Sequence, residues 1–174
     1  MVDIHNSKNA KISEIDKLCN EYFFESLKLE PENAVMFHLE NRINKPNNYS
    51  DYSPKGRDKT LKICQKYLDK AKKQNSGNFR EEIVRQQFIE ALSLVLETEE
   101  KFLDSYRFMN NLFSPFQSLR MIFDLMSKES AQDFAAIFAR LDNIPKAVRG
   151  YIKSLQKGIE IGVVNTVRQC QLVI

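Results

Sequence analysis

The sequence has no tryptophan, two histidines, three cysteines, and only five residues each of glycine and proline in 174. Each scarcity removes a class of function. His5 and His38 cannot form the pair four residues apart on a helix, with an adjoining Glu, that a zincin requires. Cys19, Cys64 and Cys170 are far apart, odd in number and without a C-x-x-C pair, so reduced and mostly buried thiols are expected rather than a zinc or redox centre. The glycines form no G-x-x-x-x-G-K-[ST], G-x-G-x-x-G or G-x-S-x-G pattern, which leaves neither a phosphate cradle nor a nucleophile elbow. No apolar run approaches the roughly 18 residues that span a bilayer, and "MVDIHNSKNAKIS" lacks the apolar core of a signal peptide, so no membrane partner and a cytoplasmic location are the expectations.

Charge is equally unassertive. The 26 basic and 23 acidic side chains give +3, dispersed along the chain, too little to argue for a nucleic-acid partner. A chain of 174 residues suffices for one domain with a real core and is short for two, so residues 1–174 are read as a single helical domain.

What is present is helical periodicity. Over 11–29, Ile12, Ile15, Leu18, Cys19, Tyr22, Phe23 and Leu27 recur at steps of three and four, one buried face of a helix. Pro31 suits the first turn of a short helix, and Pro46, Asn47, Asn48, Ser50, Asp51, Ser53 and Pro54 make the one long connection of the chain. A second helix is predicted over 58–73, with Leu61, Cys64, Leu68 and Ala71 inward and Lys59, Lys62, Lys66 and Lys73 forming a solvated stripe. A rod on the order of 45 Å is predicted over 79–110, from Val84, Phe88, Ala91, Leu92, Val95, Glu99, Phe102, Leu103 and Tyr106.

Further helices are announced by their starts. Ser114, Pro115 and Gln117 open one whose inner face is Leu119, Ile122, Phe123 and Met126. Ser130 caps another, with Asp133 in its first turn and Phe134, Ile137, Phe138 and Leu141 inward. Pro145 is expected to end that helix and begin the next, which carries Val148, Ile152, Leu155 and Ile159 to a stop at Gly162. Thr166 and Gln169 form a capping box for a last helix. With no alternating run and no repeat, the predicted class is all-α, an irregular multi-helix bundle of about seven helices with one long loop.

Chemistry is hard to place on this frame. His38 reads as a structural or surface histidine, and His5 falls in a frayed terminus. Glu81 with Glu82, and Glu97 with Glu99 and Glu100, lie on predicted exposed helix surface beside Lys and Arg, as solvated charges rather than acid–base groups. Tyr106, Arg107, Phe108, Met109, Asn110 and Asn111 crowd a helix end that reads as a packing corner. No residue is assigned a catalytic, cofactor-binding or metal-ligating role.

The stretch "FARLDNIPKAVRGYIKSLQKGIEIGVV" carries Arg140, Leu141, Pro145, Leu155, Gly158, Ile159 and Gly162. In these positions it resembles the bacterial family labelled domain of unknown function 885. "YFFESLKLEPENAVMFHLENR" and "YSDYSPKGRDKTLKICQKYLDKAK" look like the opening of the same family, and "NLFSPFQSLRMIFDLM" looks more loosely like a later helix start. The resemblance runs from Tyr22 to Ile174. It implies the N-terminal part of a longer protein similar to helical zinc metallopeptidases, whose metal-binding stretch is of a His-Glu and Pro-Gly-His-His type absent from this chain. Zinc is thus implied only for the longer family and no cofactor for this chain.

Three functional expectations follow. By the resemblance, the chain is the N-terminal helical region of a metallopeptidase-like hydrolase, a wall or lid of a substrate groove. Val167, Val173 and Ile174 would then be core residues covered by the remainder of a larger chain. Alternatively, it is a stand-alone, non-enzymatic helical binding module from a truncated gene, whose apolar C-terminal helix docks a partner. A third reading has the Lys59 to Lys73 stripe binding an acidic partner.

Overall fold

Helix-forming runs bounded by side-chain caps account for the architecture. A computed structural model describes residues 12–106 and 115–172, which form seven α-helices and no strand among the described residues, the all-α arrangement expected. His5, the Ser114 cap, the crowded residues Arg107, Phe108, Met109, Asn110 and Asn111, and Val173 and Ile174 lie outside the described residues, as does the Gln117 side chain.

Helix α1 (Glu14–Leu29) begins where Ser13 accepts the Asp16 N–H at 3.2 Å. Pro31 opens α2 (Pro31–Met36), at the position where a missing N–H costs nothing. The chain then passes through His38, left-handed at φ 55°, and a short 3-10 turn at Glu40–Arg42 into the long loop. Helix α3 (Pro54–Lys73) starts four residues before the predicted 58, because Ser53 caps the Gly56 N–H and Pro54 takes the first helical position. Those two turn formers are the helix start.

Helix α4 (Phe79–Phe102) is shorter than the 79–110 rod, about 36 Å long. Leu103 adopts φ 51°, its N–H donates to Glu99 O at 3.2 Å, and a second 3-10 turn follows at Asp104–Tyr106. Neither Gly nor Pro marks this end; the Glu99 side chain makes it, by accepting the Ser105 N–H and the Ser105 Oγ–H at 3.4 and 2.8 Å. Helix α5 (Pro115–Leu125) opens at Pro115 as expected and buries Leu119 and Ile122.

Helix α6 (Ala131–Glu160) corrects two expectations. Pro145 does not divide it: the helix runs 30 residues, from a capping box of Ser130 and Asp133 to a stop at Gly162, φ 74°. The proline sits on an exposed side of the helix, so only one backbone bond is lost, in a place water can reach. Its inward face is not the predicted one. Phe134, Phe138, Leu141, Ile152 and Ile159 are all exposed, whereas Arg140, Ala147, Gly150, Tyr151, Ser154 and Gly158 are buried. Helix α7 (Val167–Gln171) carries the expected Thr166 and Gln169 capping box, and Val167 is 75% exposed.

The main core joins α1, α3 and α4, where Ile15, Leu18, Cys64, Tyr67, Leu68, Ala71 and Leu92 pack together with Tyr22 and Phe88 edge-on. A smaller cluster of Leu27, Ala34 and Ile43 fixes α2 against the end of α1. The lysine stripe of α3 is exposed, with Lys66 bonded to Glu25 at 2.8 Å. Of the thiols, Cys64 is buried and Cys19 half-buried, while Cys170 is exposed against expectation, since α7 has no buried face. Among the described residues, no helix is long and apolar enough to cross a membrane.

One glycine is indispensable to the loop that enters α3. A Cβ on Gly56 would fall 1.6 Å from Asp51 O, a backbone atom that cannot move without displacing the loop. Gly56→Ala is therefore expected to lower unfolding stability by at least about 2 kcal/mol, read as a fall in the urea midpoint, although alanine favours helix elsewhere.

Candidate functional site

A cleft of about 840 Å³ opens between α2, the 43–53 loop, the start of α3, the end of α4, α5 and the polar face of α6. Its form follows from the loop. Loop backbone has no ladder partner, so carbonyl and N–H groups that become buried must be satisfied by side chains. Two helices supply them from opposite sides.

From α2 comes Glu32, only 8% exposed. Its carboxylate accepts the Ser50 N–H at 2.9 Å, the Ser50 Oγ–H at 2.7 Å and the Tyr52 hydroxyl in a short bond. From α6 comes Arg140, fully buried. It donates to Asn48 O at 3.1 Å and to Pro46 O, and its guanidinium lies 5.2 Å from the centre of the Tyr49 ring. Asn143 Nδ2 donates to Asn47 O at 3.3 Å and Ser154 Oγ to Tyr52 O at 2.6 Å, while Tyr151 stacks on Tyr52 at 3.9 Å. Gly150 lets the helix approach, since a Cβ there would lie 3.3 Å from the Tyr52 and Ser53 nitrogens. The spacing from Arg140 through Asn143, Ala147, Gly150, Tyr151 and Ser154 is one face of a helix.

The far wall is an ion pair. Arg57 Nε donates to Glu99 Oε1 at 2.6 Å, and the Arg57 guanidinium lies 5.2 Å from the centre of the Tyr106 ring. Glu99 is 8% exposed, not a surface carboxylate as its place among Glu97 and Glu100 suggested. Glu82 and Glu97 do sit at the surface: hydrogen bonding from Arg85 holds Glu82 at about 2, and Lys101 lowers Glu97.

Burial sets the proton affinities around the cleft. It pulls the Arg140 guanidinium down, against the pull of Tyr49 and Glu32, and pushes the Tyr52 hydroxyl far up, aided by the neighbouring Glu32 charge. Burial, then the charge of Glu32, also raises the Glu30 carboxyl at the junction of α1 and α2. Glu32 and Glu99 are committed to fixed donors, so they hold backbone and cations rather than serve as proton carriers.

The described residues bring no zinc-ligand set together. His38 is exposed on its left-handed turn, Cys64 faces Tyr22 at 3.6 Å, Cys170 is on the outer surface of α7, and no group of three His, Cys, Asp or Glu stands together among the described residues. Sequence reasoning missed Glu32, Tyr52, Tyr151 and Ser154 as a constellation. The readable signal was the second, polar and small-residue face of α6, opposite its apolar stripe.

Comparison with known proteins gives one result. A family model described as "Bacterial protein of unknown function (DUF885)" matches residues 31–174, which include α2, the loop and the whole of α6. No curated protein matches the chain.

Two substitutions check the polar clasp. Arg140→Lys keeps the charge but loses the fork that reaches two carbonyls, and is expected to cost about 2 kcal/mol in urea unfolding. Glu30→Gln acts in the opposite direction. A carboxyl raised by folding favours the fold in its protonated form, so its contribution is complete below the ordinary Glu range and fades as pH rises through the raised value. Gln keeps the acceptor for Asn33 Nδ2, 2.6 Å away, and should add about 1 kcal/mol at pH 7 and nothing near pH 4, seen as convergence of the two melting curves on acidification.

Proposed function

The chain belongs to the DUF885 family of bacterial proteins, and from that premise we propose that it is a helical, non-catalytic wall of a metallopeptidase-like hydrolase. It borders a substrate groove, and the catalytic metal and general base come from residues elsewhere in such a protein. The observation that supports this reading is the state of the cleft. It is large enough for a peptide-sized group, and its two most buried carboxylates, Glu32 and Glu99, are saturated by structural donors, while Glu30 accepts from Asn33. A surface with that composition can shape and position a ligand, and neither Glu32 nor Glu99 is free to act on it as a base.

Exposed apolar side chains favour a covered position for the C-terminal segment. Val164, Val167 and Leu172 are 56%, 75% and 56% exposed, in a region whose short helix buries nothing. The remainder of a larger chain, or a partner, covers them in this reading.

The experiment is an immunoblot of source cells with an antibody to this segment, followed by metal analysis of the captured protein. The expected result is a band several-fold larger than 20.3 kDa that carries zinc. A zinc-free band at 20.3 kDa overturns the hydrolase reading and leaves a stand-alone helical binding module.

A further inference from the structure

Lysines from four separate elements meet at the cleft. Lys28 comes from the end of α1, Lys45 from the loop, Lys59 from the second turn of α3 and Lys146 from α6, and all four are exposed at its lining. A solvated helix face carries its charges along one element, as the rest of the α3 stripe does, so convergence from four directions belongs to the site rather than to any helix. None of the four has a carboxylate within bonding distance among the described residues, whereas Lys17, Lys66, Lys70, Lys101 and Lys157, elsewhere on the surface, are paired.

The other charges at the cleft leave this excess standing. Arg57 and Glu99 cancel one another, and the charge of Glu32 acts on the buried Arg140 guanidinium. Glu30 and Asp51 are the remaining carboxylates, and both are engaged, by Asn33 and by the Ser53 N–H and hydroxyl. Four ammonium groups thus stand against two carboxylates, an imbalance that a concave, low-dielectric wall focuses into positive potential. Between the lysines the lining has an apolar part. Met36, Val95 and Met121, from α2, α4 and α5, are 43–46% exposed there.

We propose that the cleft binds acidic peptide segments, with carboxylate side chains set against Lys28, Lys45, Lys59 and Lys146 and an aliphatic side chain against Met36, Val95 and Met121. The inference rests on the groove reading above and adds to it the class of peptide selected. A peptide suits the lining better than a nucleic acid, whose bases need aromatic faces to stack on. The two tyrosines of the lining are held in place, Tyr52 against Tyr151 and Tyr49 beside Arg140, and the exposed apolar groups are thioethers and a valine.

Fluorescence anisotropy of the 174-residue chain with a short labelled peptide of alternating Glu and Leu, blocked at both ends, tests it. The acidic peptide should bind at least about tenfold more tightly than the same peptide with Gln for Glu, and the advantage should shrink as salt rises. Lys59→Glu and Lys146→Glu, both at exposed positions, should each weaken the acidic peptide by about tenfold, with helical circular dichroism unchanged and the Gln peptide unaffected. Lys62→Glu makes the same change of charge on α3 outside the cleft lining and should leave both peptides unaffected. Equal affinity for the two peptides overturns the inference and leaves the groove reading in place, since that reading stands on the size and zinc content of the native protein. Failure of the acidic peptide to bind overturns the inference as well. So does equal weakening by Lys59→Glu and Lys62→Glu, which would assign the attraction to the whole chain, or tighter binding by a single-stranded oligonucleotide.

Discussion

Arg140 holds α6 to the rest of the molecule, and the long loop holds its path because Arg140 does. The carbonyls of Pro46 and Asn48 turn inward, where no strand or helix could pair them, and the guanidinium is a donor planar enough to meet both. Glu32 performs the complementary task for the N–H of Ser50 and the hydroxyl of Tyr52. Between these two charges the loop becomes a fixed strap, and α2, α3 and α6 take their relative positions from it. The apolar contribution of α6 to this contact is small, being Ala147, a glycine and one stacked tyrosine.

That choice has an energetic consequence. Removing a guanidinium and a carboxylate from water costs several kcal/mol per ion, and hydrogen bonds to neutral backbone recover only part of it. An apolar contact of the same area would hold more tightly. It would also slide, since packed alkyl groups accept several registers, whereas Arg140, Asn143 and Ser154 each accept one set of carbonyls. The clasp therefore favours position over stability, in keeping with a cleft whose walls must stay in place. The Arg57–Glu99 pair on the far side follows the same logic, and it also ends α4.

How much of this the sequence disclosed depends on how many faces each helix has. Helices α1 and α3 have one buried face and one charged one, and Ile15, Leu18, Cys64 and Leu68 could be placed inward from periodicity alone. The capping signals at Pro31, Ser130 and Thr166 marked true helix starts, because a cap acts locally. Helix α6 defeated the same procedure. The apolar stripe that periodicity selects as its core face is largely exposed, because a rule that seeks the apolar side fails when the core contact is polar and made of small residues. The end of α4 was unreadable for a related reason, since Leu103 is left-handed only because Glu99, four residues back, ties down Ser105. The cleft carboxylates were invisible because Glu32 meets its donors across 18 or more residues, and no spacing rule connects them.

The family match and the two-faced helix bear on one another. The matched residues start at Pro31, so they include every group of the clasp, and the segment that first suggested the family, from Arg140 to Gly162, is α6 with its stop. Within that segment the residues divide by face. Arg140 and Gly158 are buried, Gly158 so closely that a Cβ would lie 2.6 Å from Val163 O, while Leu141, Pro145 and Ile159 look outward. Both faces thus contribute to the same short pattern. Burying a side chain of the Ile or Phe size is worth roughly 1.5–3 kcal/mol, so covering the outer stripe would add a term comparable with the whole stability of an ordinary domain. A chain whose inner contact is built for position rather than strength has the most to gain from any such cover.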